Sequence, residues 1–496
     1  MNKKPKILFW INGFFLHFCL AYYLQSHLNA DFFGIIDINS KPKKFFQNQN
    51  FVNFQKIWFF HDQIKKNQVD PDLNYLLHFE QNYHINLWKS AINERFFYKH
   101  NRFYKFKKQE ILSILEQELK FFESVLDEIK PDYFLTYDPP FHHQKLLLEL
   151  CKAKDIRVLS VCGTGIENKI ILTENGATFD LDSKSIDTHS SKIDEISKIQ
   201  KTSYDLVVQK YLQNREIGFF NKFKALKDYL FDFDSELENS NFMYYGKTKF
   251  KVIKDAINLE LKRRNNFHFL QKTTTLSPDL SIPYVYFPMN VDEEMNILHY
   301  APYYTNQIEV IRHIAKSIPI DYVLYVKEHI ASKLRGWMDP DYYKEIIEIP
   351  NVVFINPLFD NNALLKNSKL LVAIRGTTPL KAIKNGKASV IFGDQPFQIL
   401  PSVFKVDSLD SLPILIKKAL NHKVNPSDYE KYEGLLKNRS LEFDMFAYEY
   451  QRDSNFFSGR TLSNVLISDD VMNNFLKENE NLFSDLVNGH LKIISS

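Results

Sequence analysis

Cysteine is scarce in this chain: Cys19, Cys151 and Cys162 are the three in 496 residues. Their odd number and wide spacing, with no CxxC pair, offer no thiolate zinc or redox centre and predict a reducing compartment. Glycine is also sparse, at 14, beside 43 Phe and 26 Tyr with abundant Asn, Lys and Ile. Those counts fit either a surface that stacks bases or sugars, or A/T-rich codon usage, which is the simpler account. Charge of one sign is missing too. A formal net charge of +3 supplies no large field to steer the molecule to nucleic acid, so any anion site is local. Long apolar runs are absent as well, because Asn12, Gly13 and His17 interrupt the stretch 7–24 that follows Lys3, Lys4 and Lys6. A membrane anchor is therefore disfavoured against a strand at 7–11, a turn at Asn12-Gly13, a helix at 14–28 and a strand at 32–38.

What is present is size and alternation. A chain this long exceeds the roughly 250–300 residues at which one core stops growing, which predicts two globular domains. After an aromatic, polar stretch at 40–104, a patterned helix at 109–129 stops at Lys130-Pro131. A strand at 132–137, a helix at 143–153, a strand at 157–161 and a Gly-containing turn at 162–165 follow. Strands alternating with helices predict a parallel sheet covered on both faces. The pattern weakens over 180–277, which holds a Ser-rich charged stretch at 183–198. It also holds a basic cluster, Lys247, Lys249, Lys251, Lys254, Lys262, Arg263 and Arg264, near Phe250 and Phe267. That cluster is either a solvated helix face or a contact for a lipid head group or anionic acceptor. Alternation resumes with strands at 284–288, 322–327, 352–355, 370–374 and 388–392 and helices at 306–318, 342–347, 361–367 and 379–385. Residues after about 407 read as helical. The expected domains are an amino-terminal unit at 1–180, a helical connecting region at 181–280, a second unit at 281–425 and a helical tail at 426–496.

In open α/β sheets ligands bind beyond the carboxyl ends of the strands, and that rule selects a few loops. In IRGTTPLKAIKNG, residues 374–386, Gly376 permits close backbone approach, and Thr377 and Thr378 offer hydroxyls and amides before Pro379 at a helix start. Such a loop suits a phosphate, or is a plain helix cap. Lys327, Glu328 and His329 leave an earlier strand together; Lys and His suit phosphates and a carboxylate suits ribose hydroxyls. In FPMNVDEEMNI, residues 287–297, Asn290 lies close to Asp292, Glu293 and Glu294, acids that are catalytic or that charge a helix start.

Five segments in order, YVYFPMNVDEEMNI, APYYTNQIEVIRHIAKSIP, YVLYVKEH, IPNVVFINP and AIRGTTPLKAIKNGKASVIFGD, spanning about 284–402, resemble the carboxy-terminal half of bacterial capsule polysaccharide biosynthesis proteins. INGFFLHFCLAYYL is similar to that family's first strand, loop and helix. The resemblance implies an α/β, GT-B fold: two Rossmann-like domains facing across a cleft, with the donor nucleotide on the second and the acceptor on the first. Several members resemble transferases of CMP-activated Kdo. By the same resemblance Lys327, Glu328 and His329 match the segment with a His-Pro motif, and Gly376, Thr377 and Thr378 match the motif that meets donor phosphate. Ile330 stands where the family usually has that Pro, and Glu293 stands where a Pro often precedes the acid matched by Glu294.

The implied activity is glycosyl transfer from a nucleotide sugar, CMP- or UDP-linked, to a growing surface or capsule polysaccharide or glycolipid. Lys327, His329, Arg375, Asn290 and the Thr377 and Thr378 amides then hold the donor and its leaving phosphate, with no metal and no other cofactor. For the base that takes the acceptor proton, YDPPFHHQ at 137–144 offers Asp138 first and His142 or His143 second, and Glu294 is the acid candidate of the second unit. Asn12 and Gly13 border the acceptor. The expected location is cytoplasmic, with the inner face of the plasma membrane and capsule assembly proteins as peripheral contacts and no nucleic-acid partner. Two rivals stay open: a sugar-nucleotide epimerase of related fold, and an inactive glycan-binding scaffold of capsule assembly, suggested by His329-Ile330.

Overall fold

A computed structural model describes residues 4–66, 70–180, 241–425, 427–457, 462 and 465–495. The charged stretch 183–198, and with it most of the expected connecting region, lies outside the described residues. The chain divides into two compact units: one holds the described residues up to 176, those of 241–253 and those from 440 onward, and the other is centred on 254–439.

The first unit is built on a seven-stranded sheet. Its strands are β1 Lys6–Asn12, β2 Asp31–Asp37, β3 Phe54–Phe59, β4 Tyr133–Tyr137, β5 Arg157–Gly163, β6 Lys169–Thr173 and β13 Leu441–Glu442, in the spatial order β13-β6-β5-β4-β1-β2-β3. The run expected as strand, turn and helix is such a unit: Ile7 to Ile11 are buried on both faces, β1 pairs in parallel with β2, and the helix between them covers Leu16–Leu24. Burial on both faces is what an uninterrupted apolar strand in a parallel sheet requires. Among the described residues no helix is long and apolar enough to cross a membrane. The chain enters that helix through Phe15 at φ 61, a left-handed conformation that is costly for an aromatic residue. Burial against Phe46 and Phe456 holds it there. Helix Lys108–Ile129 ends at Lys130, whose φ of 48 and N–H to the Leu126 carbonyl (2.8 Å) form a left-handed cap just before Pro131.

The second unit carries a six-stranded sheet in which every pairing is parallel. Its strands are β7 Tyr284–Pro288, β8 Val323–Lys327, β9 Val352–Ile355, β10 Leu370–Ala373, β11 Ser389–Ile391 and β12 Val403–Lys405, ordered β12-β11-β10-β7-β8-β9. Helices Gln307–Ser317, Pro340–Ile347, Asn361–Asn367 and Thr378–Lys384 connect them. Each sheet therefore starts in the middle, winds outward through three strands, returns, and winds the other way, which is the doubly wound Rossmann order.

The stretch after 425 is not one tail. Helix Ser427–Arg439 belongs to the second unit, whereas β13 adds antiparallel to β6, and helix Asp469–Ile494 packs on Leu16–Leu24 in the first. Phe443, Tyr448, Phe475 and Phe483 are fully buried with Phe18 and Leu20 in one core. An amphipathic pattern announces that a helix has a partner but not which sheet supplies it. The stretch 40–104 likewise completes the first sheet, supplying β3 and helices Ser40–Asn48, Leu73–Tyr83 and Leu87–Ile92.

Candidate functional site

Strand order reverses between β10 and β7 in the second unit, so the loops leaving these two strands splay apart and open a crevice at their carboxyl ends. Asn290 spans that point. Its Nδ2 donates to the Arg375 carbonyl (2.8 Å), its backbone N–H donates to Gln307 Oε1 (2.8 Å), and its buried Oδ1 has no partner among the described residues. The loop after β7 is also fixed to β8, since the Met289 N–H donates to the Lys327 carbonyl (2.9 Å) and Glu293 pairs with Arg335. Three strand-end loops of the second unit thus meet around the position where β7, β8 and β10 end.

Lys327 is the last residue of β8 and is buried. Its Nζ donates to Asn361 Oδ1 (2.6 Å), which also accepts from the Tyr286 hydroxyl (3.1 Å). Burial lowers its ammonium pKa to about 8, against the opposing pull of Asp360 and Glu328. His329 is exposed. Its Nδ1 accepts from the Ala331 N–H (3.2 Å) at the start of the short 3-10 turn Ile330–Arg335, and desolvation, with the Lys327 charge adding to it, lowers its pKa. Gly376 has φ 125, which only glycine adopts at low cost, and Thr377 beside it is exposed and Thr378 half-buried.

Two expected donor ligands are placed otherwise. Glu328 does not face a ribose. It is buried, with Oε1 accepting from the His329 N–H (2.8 Å) and the Ser332 hydroxyl (2.9 Å) and Oε2 from the Tyr343 hydroxyl (3.0 Å). Burial, with Asp292 adding to it, raises its pKa to about 7 despite those three bonds. It holds the loop rather than a ligand. Arg375 is also buried: Nε donates to the Asp394 carbonyl (2.9 Å), Nη1 to Asn296 Oδ1 (2.6 Å), and the guanidinium lies over the Tyr300 ring at 4.0 Å. With the Gln395 amide turned so that its oxygen faces these donors, Gln395 accepts from the Gly376 N–H (2.8 Å) as well. The guanidinium is committed to shaping the loop. Among the acids, Asp292 is buried and accepts from Gln307, and Glu294 is the cap residue of the one-turn helix Met295–Leu298.

The first sheet reverses between β1 and β4. There too an asparagine spans the point: Asn12 Nδ2 donates to the Tyr137 hydroxyl (2.7 Å) and its Oδ1 accepts from the Phe14 N–H (3.0 Å), so both ends of this amide are engaged. Gly13 lies under Leu462, whose Cδ2 a Cβ would meet at 2.4 Å. Asp138 follows β4 half-buried, its N–H on the Val161 carbonyl (3.2 Å), and its charge acts on Lys145. His142 is no free base. It is fully buried, with Nδ1 2.8 Å from Glu94 Oε2 and Nε2 2.9 Å from Glu118 Oε2. Burial alone would lower its pKa, but Glu118 and Glu94 raise it to about 10. His143 lies 3.3 Å from Asp37, which also pairs with His61 at 2.8 Å.

Some of the residues not anticipated carry a signal that was readable. Asp37 ends β2 and His61 follows β3, both strand-end positions, and Glu118 interrupts the apolar stripe of Leu115 and Phe122. Asn361 and Gln307 carried no such mark, since polar residues in the first turn of a helix are ordinary. Of the basic cluster, Lys247 is held among the Tyr244, Phe96 and Phe103 rings, Lys262 pairs with Asp339, and Arg263 and Arg264 pair with Glu260. Two surface concavities, one at the amino ends of β4 and β5 and one between helices Leu16–Leu24 and Asp469–Ile494, lie away from both reversal points; neither gathers the strand-end polar groups, so the chemistry is read at the reversal points.

No family model matches this chain, and no curated protein matches it in sequence. Solved structures that match this chain include KpsC of Thermosulfurimonas dismutans, a beta Kdo 2,7 transferase, at 10% identity over 66% of this chain and 80% of that one, TM-score 0.30. UDP-GlcNAc 2-epimerase of Methanocaldococcus jannaschii matches at 14% identity over 87% and 99%, TM-score 0.25. The spinosyn rhamnosyltransferase SpnG matches at 9% over 90% and 98%, TM-score 0.27. Transferases and an epimerase stand side by side at these low scores, which carry no argument about activity. The class rests on strand order: this is an α/β protein of two Rossmann-like units.

Proposed function

We propose that this protein is a glycosyltransferase that moves a sugar from a nucleotide-sugar donor to a surface or capsule polysaccharide or glycolipid. The observation that carries the reading is the Asn290 bridge across the reversal point of the second sheet, beside a buried lysine and a glycine-led strand end. A desolvated ammonium, an exposed imidazole and the exposed Thr377 suit the diphosphate or phosphate of a nucleotide, whose departure during transfer builds negative charge. In that reading Lys327, His329, Thr377 and Thr378 meet the donor phosphate, while Glu328, Arg375 and Asn290 position their loops. Asp138 takes the acceptor proton and Asn12 and Gly13 shape its strand end. Resemblance of the five segments at 284–402 to capsule polysaccharide biosynthesis proteins supports the same assignment.

Calorimetry with CMP, UDP, GDP and their sugars tests it, because a donor site must bind at least one of them. Incubation of the bound nucleotide sugar without acceptor separates the rivals: a converted sugar released under those conditions means an epimerase, and failure to bind any nucleotide means a scaffold.

A further inference from the structure

Behind the reversal point of the first sheet, a polar cluster outside the proposed donor site is arranged as metal ligands are. Ligand atoms of Glu118, His142 and His143 lie within 4.8 Å of one another, and all three side chains are fully buried. Each histidine has a carboxylate on one ring nitrogen. Glu94 holds His142 Nδ1 at 2.8 Å, and Asp37 sits 3.3 Å from His143 Nε2. Of the opposite nitrogens, His142 Nε2 faces Glu118, and His143 Nδ1 is buried with no partner among the described residues. Glu118 Oε1 is likewise buried, with no partner among the described residues.

A carboxylate on the outer nitrogen fixes the tautomer of a metal-ligating histidine and raises its basicity, leaving the inner nitrogen for the ion. Unpartnered buried nitrogen and oxygen atoms cost free energy that a cation recovers. We infer that His142 Nε2, His143 Nδ1 and Glu118 bind one divalent transition-metal ion of the zinc type, with Glu94 and Asp37 as the orienting carboxylates. Two imidazoles and one carboxylate suit Zn2+ or Co2+ better than Mg2+ or Ca2+, which prefer all-oxygen shells. Tetrahedral zinc with bonds near 2.0–2.2 Å sets its ligands roughly 3.4 Å apart, so the His142 Nε2–Glu118 pair, now at 2.9 Å, opens by a few tenths of an ångström while wider separations, up to 4.8 Å, close, and the ion replaces the proton between Nε2 and Glu118, which leaves to solvent. The site departs from the sequence-based expectation of no metal, and it is independent of donor binding in the second unit.

The full chain, purified without a histidine tag and stripped with a chelator, is titrated with Zn2+, Co2+ and Mg2+. The expected result is one equivalent of zinc retained through gel filtration, a visible Co2+ band of low-coordinate type, and no retention of Mg2+. His143→Gln and Glu118→Gln should each weaken zinc at least tenfold, and Glu94→Gln by about 10- to 100-fold. Absence of retained zinc and of the cobalt band in the unaltered chain overturns the site without any variant. Equal retention by folded His143→Gln and Glu118→Gln overturns it too, locating the metal elsewhere.

Discussion

The two sheets reverse in the same way, yet the groups they gather at the reversal differ. In the first unit Asn12 is satisfied at both ends, and the side chains nearby are phenol, imidazole and carboxyl groups; Arg452, over the Phe14 ring, is paired with Asp453. In the second unit the Asn290 Oδ1 has no partner among the described residues, and the nearby groups are an ammonium, a guanidinium, a glycine with positive φ and the engaged carboxylates of Glu328 and Asp292. Shared topology sets where a ligand can bind, and the charge placed there sets which ligand. In the proposed function the first edge handles a proton and the second an anion.

The sharpest way to break this division is Asp138→Asn. The expected outcome is a turnover loss of about 10²- to 10⁴-fold with donor affinity unchanged, measured by steady-state transfer alongside calorimetry; an unaltered rate removes Asp138 as the base. Next, Glu328→Ala strips the acceptor from three buried donors and should cost about 3 kcal/mol in denaturant unfolding, with donor affinity falling as the loop loosens. A smaller effect separates the two bridging amides: Asn290→Ala should weaken nucleotide binding by about tenfold, near 1.4 kcal/mol, whereas Asn12→Ala leaves nucleotide affinity unchanged. Equal effects on affinity would erase the contrast between the edges.

The pH dependence sharpens it further. Lys327 has a folded pKa near 8, below that of the unfolded chain, so it is charged below 8 and neutral above. Nucleotide affinity should therefore hold below pH 8 and fall by up to about tenfold per unit as pH rises past it, because binding must then take up a proton. The Glu328 pKa is displaced in the opposite direction, upward. Its folded pKa near 7 exceeds the ordinary 4.5, so the folded state binds more protons between these values and stability falls as pH rises from about 4.5 to 7. Glu328→Gln should abolish that fall while changing stability at pH 5 by less than about 1 kcal/mol, the smallest effect expected here.

Much of the fold was legible because its strands are buried on both faces and announce themselves as apolar runs between turn residues. Strand-end reasoning likewise reached Asn290, Lys327 and Gly376. It could not tell which strand-end side chains turn inward. Glu328 and Arg375 read as ligands because their types suit phosphates and riboses, but their partners Tyr343, Asn296 and Tyr300 are distant enough in sequence that only folding reveals them. His142 was misread for the same reason: Glu94 and Glu118 reach it from 48 and 24 residues away. The carboxy-terminal helix was visible as a helix, and its place in the first core was not.

The most direct test of the central claim is calorimetry of the nucleotide panel against the unaltered chain and Lys327→Ala at pH 7. The account predicts that at least one of CMP, UDP or GDP binds the unaltered chain and that the variant, folded by circular dichroism, loses about 10²-fold or more of that affinity. Equal affinity in the two proteins, or no binding by either, would contradict it.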